Sequence, residues 1–451
     1  MNRQILKNTV ALIVSNVFVR LIGMIYKIWL AQTILPEALG YYQLSLSVYM
    51  LFISLPASGL PGSISKHYAS TSNTMKKNQI LYEGLRLGII LSLIGGIIIT
   101  ATAPIFAWLL LKDITCYSVL LALAPAIFLG GAASVPYGYL HASSKSTTVA
   151  ISELIEQIVK VIVVFIFFSF ISTSLPSVQA TLAAAGISVG GIISYIIIRK
   201  SIGRIQKNKN TELRKMLIKT ATPLTVNRFI TSFLGMITAS LIPLRLVHSG
   251  LTTSEAFSIY GVINAMAMPI IMLPSTLISA LCVTLLPRLS TINASGKTEA
   301  LTARVKKVLI FIISLCSVCA FVLYFVSDLI GEKLYANTQA STYIKYLSPC
   351  CIFVGINQLC STILMSMGHE YKTFKIHIAT SIASLVGAFL FTGLWGGIGY
   401  SLSLILQSLI GAILFLTTTV KCIKKRLPKQ KNTAILYNTD MQSRCLSVKC
   451  R

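Results

Sequence analysis

Long apolar stretches recur along the whole chain, and they constrain its fold more than any other feature. A stretch of about 18 or more apolar residues can cross a bilayer as an α-helix. The chain is 55% hydrophobic and only 11% charged, whereas soluble globular chains carry about 25% charged residues. The sequence therefore predicts an all-α polytopic membrane protein and excludes an ordinary soluble domain.

The apolar stretches predict about 12 transmembrane helices in two six-helix lobes. We place the helices at 9–31, 41–62, 85–111, 117–141, 148–171, 178–198, 219–244, 257–286, 304–327, 342–367, 373–392 and 396–420. A basic loop after the sixth helix separates the lobes. The predicted parts are an N-lobe (1–198), a basic cytoplasmic linker (199–218), a C-lobe (219–420) and a basic cytoplasmic tail (421–451).

The halves also resemble each other as a diverged parallel repeat. Leu21–Ile25 resembles Phe233–Ile237, and Leu55-Pro56 resembles Leu273-Pro274, in the same order along the chain. Parallel repeats of this kind rock around a cavity where they meet. The repeat therefore favours a transporter that works by alternating access.

The net charge of +27 is explained by membrane topology. Most of the 39 Lys and Arg residues lie in alternate segments, while the opposite segments hold only Lys112, Arg245, Lys333 and Lys345. Cytoplasmic loops carry the excess of basic residues in membrane proteins. We therefore predict that both termini are cytoplasmic, and we expect no nucleic-acid partner.

Cations inside the first and seventh predicted helices indicate a site for an anion. Arg20 and Lys27 share one stripe of helix one with Asn16, and Arg228 stands beside Asn227 in helix seven. A charge at bilayer depth is costly, so it faces a cavity or a partner. Guanidinium groups bind phosphate through paired hydrogen bonds. Snorkelling of Lys27 to the surface and a structural ion pair at Arg20 are the alternatives.

The fifth predicted helix carries a second set of ionisable residues, Glu153, Glu156 and Lys160. Their spacing, with Gln157, places them on one helical face. This face is interpreted either as a self-neutralised polar stripe or as a site that couples transport to Na⁺ or H⁺.

Prolines occur at matched places in helices two and eight. Pro56 and Pro61 lie in helix two, and Pro269 and Pro274 in helix eight. A proline inside a helix removes a backbone hydrogen bond and bends it. These bends suit gating beside the cavity, and static kinks are the alternative.

The chain contains no Walker A, HExxH or GxSxG sequence, and its five histidines share no ligand spacing. We therefore expect neither an enzyme, nor a cofactor, nor a metal site. Active transport would then be driven by an ion gradient, the membrane potential or consumption of the substrate.

Three motifs resemble those of the stage V sporulation protein B and polysaccharide-biosynthesis flippase family, in the multidrug/oligosaccharidyl-lipid/polysaccharide exporter superfamily. The first is Ser58–Lys66, and the second is Glu156–Lys160 with its Glu-Gln pair. The third combines Ile242–Leu246, Tyr260-Gly261 and Pro287–Ser290. The resemblance implies a MATE-like bundle that flips undecaprenyl-diphosphate-linked saccharides, with the peptidoglycan precursor lipid II as leading substrate. It also implies cavity cations, which Arg20, Lys27 and Arg228 match.

The chain departs from the family pattern in two ways. Many relatives carry two further C-terminal helices, and Pro136–Ala142 lacks the arginine usual at the end of helix four. The substrate, and a specialised role in sporulation, are therefore left open. A cation-coupled multidrug exporter of the same fold and a non-transporting scaffold for a cell-wall complex are the alternatives. The expected partners are membrane lipid, the anionic lipid-linked saccharide and cell-wall synthesis proteins, at the cytoplasmic membrane.

Overall fold

The computed structural model describes residues 3–143, 145–203, 205–294 and 298–424. All regular structure within these ranges is helical. This agrees with the all-α fold that the apolar stretches predict. The tail from 425 onward, which includes most of the predicted segment 421–451, lies outside the described residues.

Eight α-helices lie between Arg3 and His248. They are α1 (Arg3–Thr33), α2 (Pro36–Ala57), α3 (Gly59–Ala69), α4 (Thr74–Phe106), α5 (Tyr117–Ala142), α6 (Ser146–Phe170), α7 (Pro176–Lys200) and α8 (Thr211–His248).

Seven helices follow in the rest of the described chain. They are α9 (Thr253–Gly261), α10 (Met268–Ile271), α11 (Leu273–Ala294), α12 (Thr298–Asp328), α13 (Thr338–Leu347), α14 (Cys350–Ser366) and α15 (Glu370–Lys424). Short π-helical segments follow α4, α9 and α12.

Eight helical segments of the described chain are long and apolar enough to cross a membrane. The number rises to nine if α13 and α14, which are separated by Ser348 and Pro349, form one broken span. The expectation of a many-spanning bundle is therefore confirmed. The number 12 and the cytoplasmic position of both termini stay predictions.

One predicted boundary between spans corresponds to a break inside α15. The backbone leaves helical geometry at Trp395 (φ −126°, ψ 16°) and Gly396 (φ 57°, ψ −134°). Glycine occupies positive φ without the steric penalty of a Cβ atom. The break falls between the predicted spans 373–392 and 396–420, so α15 consists of two helical segments.

The linker predicted at 199–218 is helical at both of its ends. Helix α7 ends at Lys200, and α8 already begins at Thr211. The side chain of Asn210 accepts hydrogen bonds from the backbone N–H groups of Glu212 and Leu213, which caps α8. The backbone N–H of Asn210 in turn donates to Glu83 in α4 over 3.0 Å. These bonds hold the end of the linker against α4.

The described chain divides into two compact units. The first comprises 1–270, 325–347 and 384–404. One of its cores packs α3, α4 and α8 through Ile64, Ile80 and Leu217, all of which are buried. Further contacts join α5 to both α4 and α7, and α6 to α1. This unit holds every cation and acid of the predicted site.

The second unit comprises 271–324, 348–383 and 405–451. Helices α11 and α14 pack together here, and Gln358 donates a hydrogen bond to Ser279 over 2.6 Å. Asn357 donates to the backbone carbonyl of Ser408 over 3.0 Å. Side-chain amides and hydroxyls therefore join the helices of this unit. The predicted division into an N-lobe and a C-lobe stays a prediction.

Candidate substrate-binding site

Helices α1 and α6 meet along a line of close contacts that we call the α1–α6 seam. The ring of Trp29 lies 5.7 Å from that of Phe165 and 6.3 Å from that of Phe168, measured between centroids. At Gly23 a Cβ atom would stand 2.9 Å from the Nε2 atom of Gln157. Glycine therefore lets the amide of Gln157 approach the backbone of α1.

Lys160 extends across the seam from α6 to α1. Its ammonium group donates to the Oε1 atom of Gln157 over 2.7 Å and stands 4.9 Å from the ring centroid of Tyr26. Tyr26 is buried, with 3% of its surface exposed. A cation over an aromatic face is attracted by the ring quadrupole. Lys160 is thus held between an amide of its own helix and a ring of the next.

Lys27 follows Tyr26 on α1, and its ammonium group interacts electrostatically with that of Lys160. The charge of Glu156 also acts on Lys160. Two ammonium groups beside one carboxylate leave an excess of positive charge. Like charges repel each other, and an anion between them relieves that repulsion. The seam therefore has the electrostatics of an anion site.

A cavity of about 350 Å³ lies beside the seam and is lined by residues of α2, α3, α5, α6 and α7. Both carboxylates of the fifth predicted helix, Glu153 and Glu156, line it together with His141. Glu156 interacts with Ser194, whose hydroxyl lies 3.3 Å from that of Tyr137. The acids predicted as one helical face therefore do face a common polar space.

The remaining predicted cations lie on two helices of the first unit. Arg20 is exposed on α1, seven residues before Lys27, and Arg228 is exposed on α8 beside the half-buried Asn227. The side chain of Asn16 lies outside the described part of the chain. A clamp that joins Arg20 to Arg228 stays a prediction.

The four prolines predicted as gating positions lie close to helix breaks or to the cavity. Pro56 is buried in the last turn of α2, and Pro61 lines the cavity from the first turn of α3. Pro269 lies in α10 and Pro274 in the first turn of α11, on either side of the break between these helices. Their role in gating stays a prediction.

A family model described as "Polysaccharide biosynthesis protein" matches residues 5–293, which is more than half of the chain. The chain belongs to this family. The resemblance drawn from the motifs is therefore confirmed. The family assignment, together with the apolar helices, makes the chain a multi-pass protein of the cell membrane.

Two curated relatives come from Bacillus subtilis (strain 168). The stage V sporulation protein B is 25% identical over 408 residues, which cover 86% of this chain and 76% of that protein. The lipid II flippase MurJ is 21% identical over 416 residues, which cover 82% of this chain and 74% of that protein.

Solved structures show the same fold at low sequence identity. An inward-facing multidrug resistance MATE family transporter of the MOP superfamily gives a TM-score of 0.75 at 14% identity, covering 92% of this chain and 99% of that chain. The lipid II flippase MurJ, in an inward closed conformation, gives 0.71 at 17% identity, covering 96% and 93%. The MATE-like fold expected from the motifs is thereby confirmed.

Two aromatic residues of the site are not among those that the sequence predicts. Tyr26 is the ring beneath Lys160, and Tyr137 is part of the cavity wall. Tyr26 stands one position before Lys27 and could have been noticed there. No spacing in the sequence connects Tyr137 on α5 with Glu156 on α6, because their proximity depends on helix packing.

Proposed function

We propose that this protein is a flippase that moves an undecaprenyl-diphosphate-linked saccharide across the cytoplasmic membrane by alternating access. The leading substrate is a lipid II-type peptidoglycan precursor, and sporulation is the process in which we would look for it first. Membrane lipid and cell-wall synthesis proteins are the proposed partners. The N-lobe (1–198) and C-lobe (219–420) would be the moving parts, with the linker (199–218), the tail (421–451) and both termini in the cytoplasm.

The observation that carries this proposal is the pair of ammonium groups at the α1–α6 seam. Lys27 and Lys160 come from different helices, and the charges of Lys27 and Glu156 both act on Lys160. Cations inside a membrane protein mark the route of an anion when they are not neutralised by the protein itself. A diphosphate carries the charge and the acceptor atoms that such a site needs.

The relatives support the chemical class of the substrate. The chain is similar to a lipid II flippase in sequence and in fold, and to the stage V sporulation protein B in sequence. A diphosphate and its saccharide would be hydrated or held by cations, while the polyprenyl chain stays in lipid. In a bundle of apolar helices that contains cations, the cations can hold the diphosphate while the apolar helix surfaces leave the polyprenyl chain in contact with lipid.

The predicted residues then take distinct roles in transport. Arg20 and Arg228 would hold the diphosphate, and Lys27 would take it toward the outer side, with Asn16 and Asn227 as supporting donors. Breaks near Pro56, Pro61, Pro269 and Pro274 would let helices bend between the two access states. Glu153 and Glu156 would bind the coupling cation or proton, and Lys160 would respond to their charge.

The decisive test is flipping of fluorescent lipid II in proteoliposomes, with and without an imposed membrane potential. We expect wild-type protein to expose the lipid to an external quencher faster than empty vesicles do. Arg20→Ala should abolish this flipping while the protein still inserts, and Lys333→Ala, a cation outside the proposed site, is the matched control. Wild-type rates equal to those of empty vesicles would exclude the proposal.

A cation-coupled multidrug exporter is the second candidate, and one observation favours it. The cavity beside the seam is lined by two carboxylates, Glu153 and Glu156, which would suit a cationic drug or its coupling ion. Overexpression would then raise resistance to cationic drugs, and Glu153→Gln with Glu156→Gln would remove that resistance. A flippase predicts no change in drug resistance.

A further inference from the structure

An apolar groove of about 510 Å³ runs along the outer side of the α1–α6 seam. It is lined by Ile22, Ile25, Tyr26, Trp29, Val161, Ile162 and Phe165. Several of these side chains are widely exposed, including Ile25 at 65% and Phe165 at 56%. In a membrane such surface faces lipid chains, so exposure alone does not make it a binding site.

The shape of the groove distinguishes it from a plain lipid-facing surface. Trp29 and Phe165 pack 5.7 Å apart between centroids and form one end of it. Tyr26 and Trp29, whose centroids are 6.3 Å apart, form a continuous aromatic wall along α1. Aromatic rings from both helices therefore line the groove together with aliphatic side chains.

One residue belongs to both the groove and the cationic pair. Tyr26 lines the groove, and the ammonium group of Lys160 stands 4.9 Å from the centroid of the same ring. Lys160 in turn interacts with Lys27. A single aromatic ring thus separates a place for a hydrocarbon chain from a place for an anion.

The groove between α4 and α5 offers an internal comparison. It has a volume of about 560 Å³, and its lining, like that of the α1–α6 groove, contains no charged residue. The difference lies behind the lining, where only the α1–α6 groove has a described cation, Lys160, against one of its rings, that of Tyr26. Its lining includes Leu93, Ile97 and Phe128. An ordinary membrane lipid chain would occupy either groove equally well. A lipid with a phosphate directly on its chain would prefer the groove that has cations at its edge.

We propose that the groove of the α1–α6 seam binds the isoprenoid chain of a polyprenyl-phosphate lipid, and that Lys27 and Lys160 bind its phosphate across Tyr26. This proposal rests on the proposed function for the identity of the lipid. A polyprenyl phosphate has one chain, which matches a single groove, whereas a glycerophospholipid has two. The seam is then the place where the anionic group and the chain of one molecule are held on opposite sides of Tyr26.

The proposal is tested by photolabelling the full-length protein in nanodiscs. The probe is undecaprenyl phosphate with a diazirine near the phosphate end of its chain, compared with diazirine-labelled phosphatidylglycerol. We expect the polyprenyl probe to label α1 and α6 peptides around Ile25 and Ile162. Phosphatidylglycerol should label both grooves equally. Equal labelling of both grooves by the polyprenyl probe would overturn the proposal and leave an ordinary lipid contact.

Variants separate the two parts of the site. Ile162→Trp fills the groove and should reduce labelling of the seam by the polyprenyl probe about tenfold, while Ile97→Trp in the α4–α5 groove should not. Lys160→Gln removes one charged hydrogen-bond donor and should weaken binding of undecaprenyl phosphate about tenfold. Unchanged binding in both Ile162→Trp and Lys160→Gln, in protein that remains folded by its elution profile, would overturn the proposal.

The same proteins distinguish this proposal from the proposed function. If wild type flips lipid II but Ile162→Trp neither loses probe labelling nor slows flipping, the groove is not the chain site and the flippase function stands. If wild type binds undecaprenyl phosphate at the seam but does not flip lipid II, the groove proposal stands and the flippase function fails.

Discussion

Two cationic sites of the first unit differ in how their charge is balanced. Near the end of α8, Arg245 donates from Nε to the backbone carbonyl of Phe389 over 2.9 Å. Its guanidinium carbon also lies 4.3 Å from the ring centroid of Phe389. At the α1–α6 seam, Lys160 meets an amide, a ring and a second ammonium group, that of Lys27.

The difference shows which of the two cationic sites has a structural role. Arg245 lies beside the helical segment that stops before Trp395, and a basic side chain near the C-terminal end of a helix is favourable. Its charge therefore serves the fold. The two ammonium groups at the seam oppose each other, so their placement costs stability in the absence of an anion. Such a cost is expected at a binding site.

The largest expected effect comes from removing both charges at the seam. Lys27→Gln with Lys160→Gln should lower the flipping rate about a hundredfold, because each hydrogen bond from a charged group to phosphate contributes about 1.5–3 kcal/mol. Thermal stability in detergent should change little, because the loss of the mutual repulsion offsets the loss of the contacts of Lys160 with Gln157 and Tyr26. Flipping of fluorescent lipid II and a melting curve on the same preparation measure the two quantities. A large loss of stability would mean that the seam, like Arg245, is structural.

The opposite result is expected at Arg245. Arg245→Ala should lower the free energy of unfolding by about 2 kcal/mol, because it removes a charge-assisted hydrogen bond and the contact with Phe389. Flipping per folded molecule should be retained. Unfolding in detergent and proteoliposome assays provide the measurements, and Arg245→Lys should recover part of the stability. A specific loss of flipping without a loss of stability would assign Arg245 to the substrate route.

A smaller effect is expected at Gly393, which lies directly against the guanidinium of Arg245. A Cβ atom at this position would clash with the Nη2 atom, so Gly393→Ala should force the guanidinium away and cost about 1 kcal/mol. Gly235→Ala, where a Cβ atom would meet nothing within 4 Å, is the matched control. In the Arg245→Ala background the Gly393→Ala penalty should disappear. A penalty that persists there would mean that Gly393 is required for the turn at Trp395 and Gly396 rather than for Arg245.

The sequence predicts the charges at these sites but not how each one is balanced. Apolar runs identify a membrane bundle, and depth along a helix identifies Lys27 and Lys160 as intramembrane cations. Arg245 was expected in an outer segment, because the predicted span ended one residue earlier. In the structure α8 continues to His248, and Arg245 reaches a carbonyl 144 residues away in the chain. Such long-range partners depend on packing, which no local pattern encodes.

The smallest effect is expected at Glu156, whose carboxylate interacts electrostatically with Lys160 at the seam. Glu156→Gln keeps the size of the side chain and removes the negative charge, so the seam becomes more positive. We expect undecaprenyl phosphate to bind about threefold more tightly, because the substrate no longer competes with a fixed carboxylate for Lys160. Glu153→Gln, one turn earlier on the same cavity wall, is the matched control and should change binding less. Weaker binding in Glu156→Gln would instead mean that this carboxylate orients Lys160 toward the phosphate. The position of Lys160 would then depend on a partner within the protein, as that of Arg245 depends on the carbonyl and ring of Phe389.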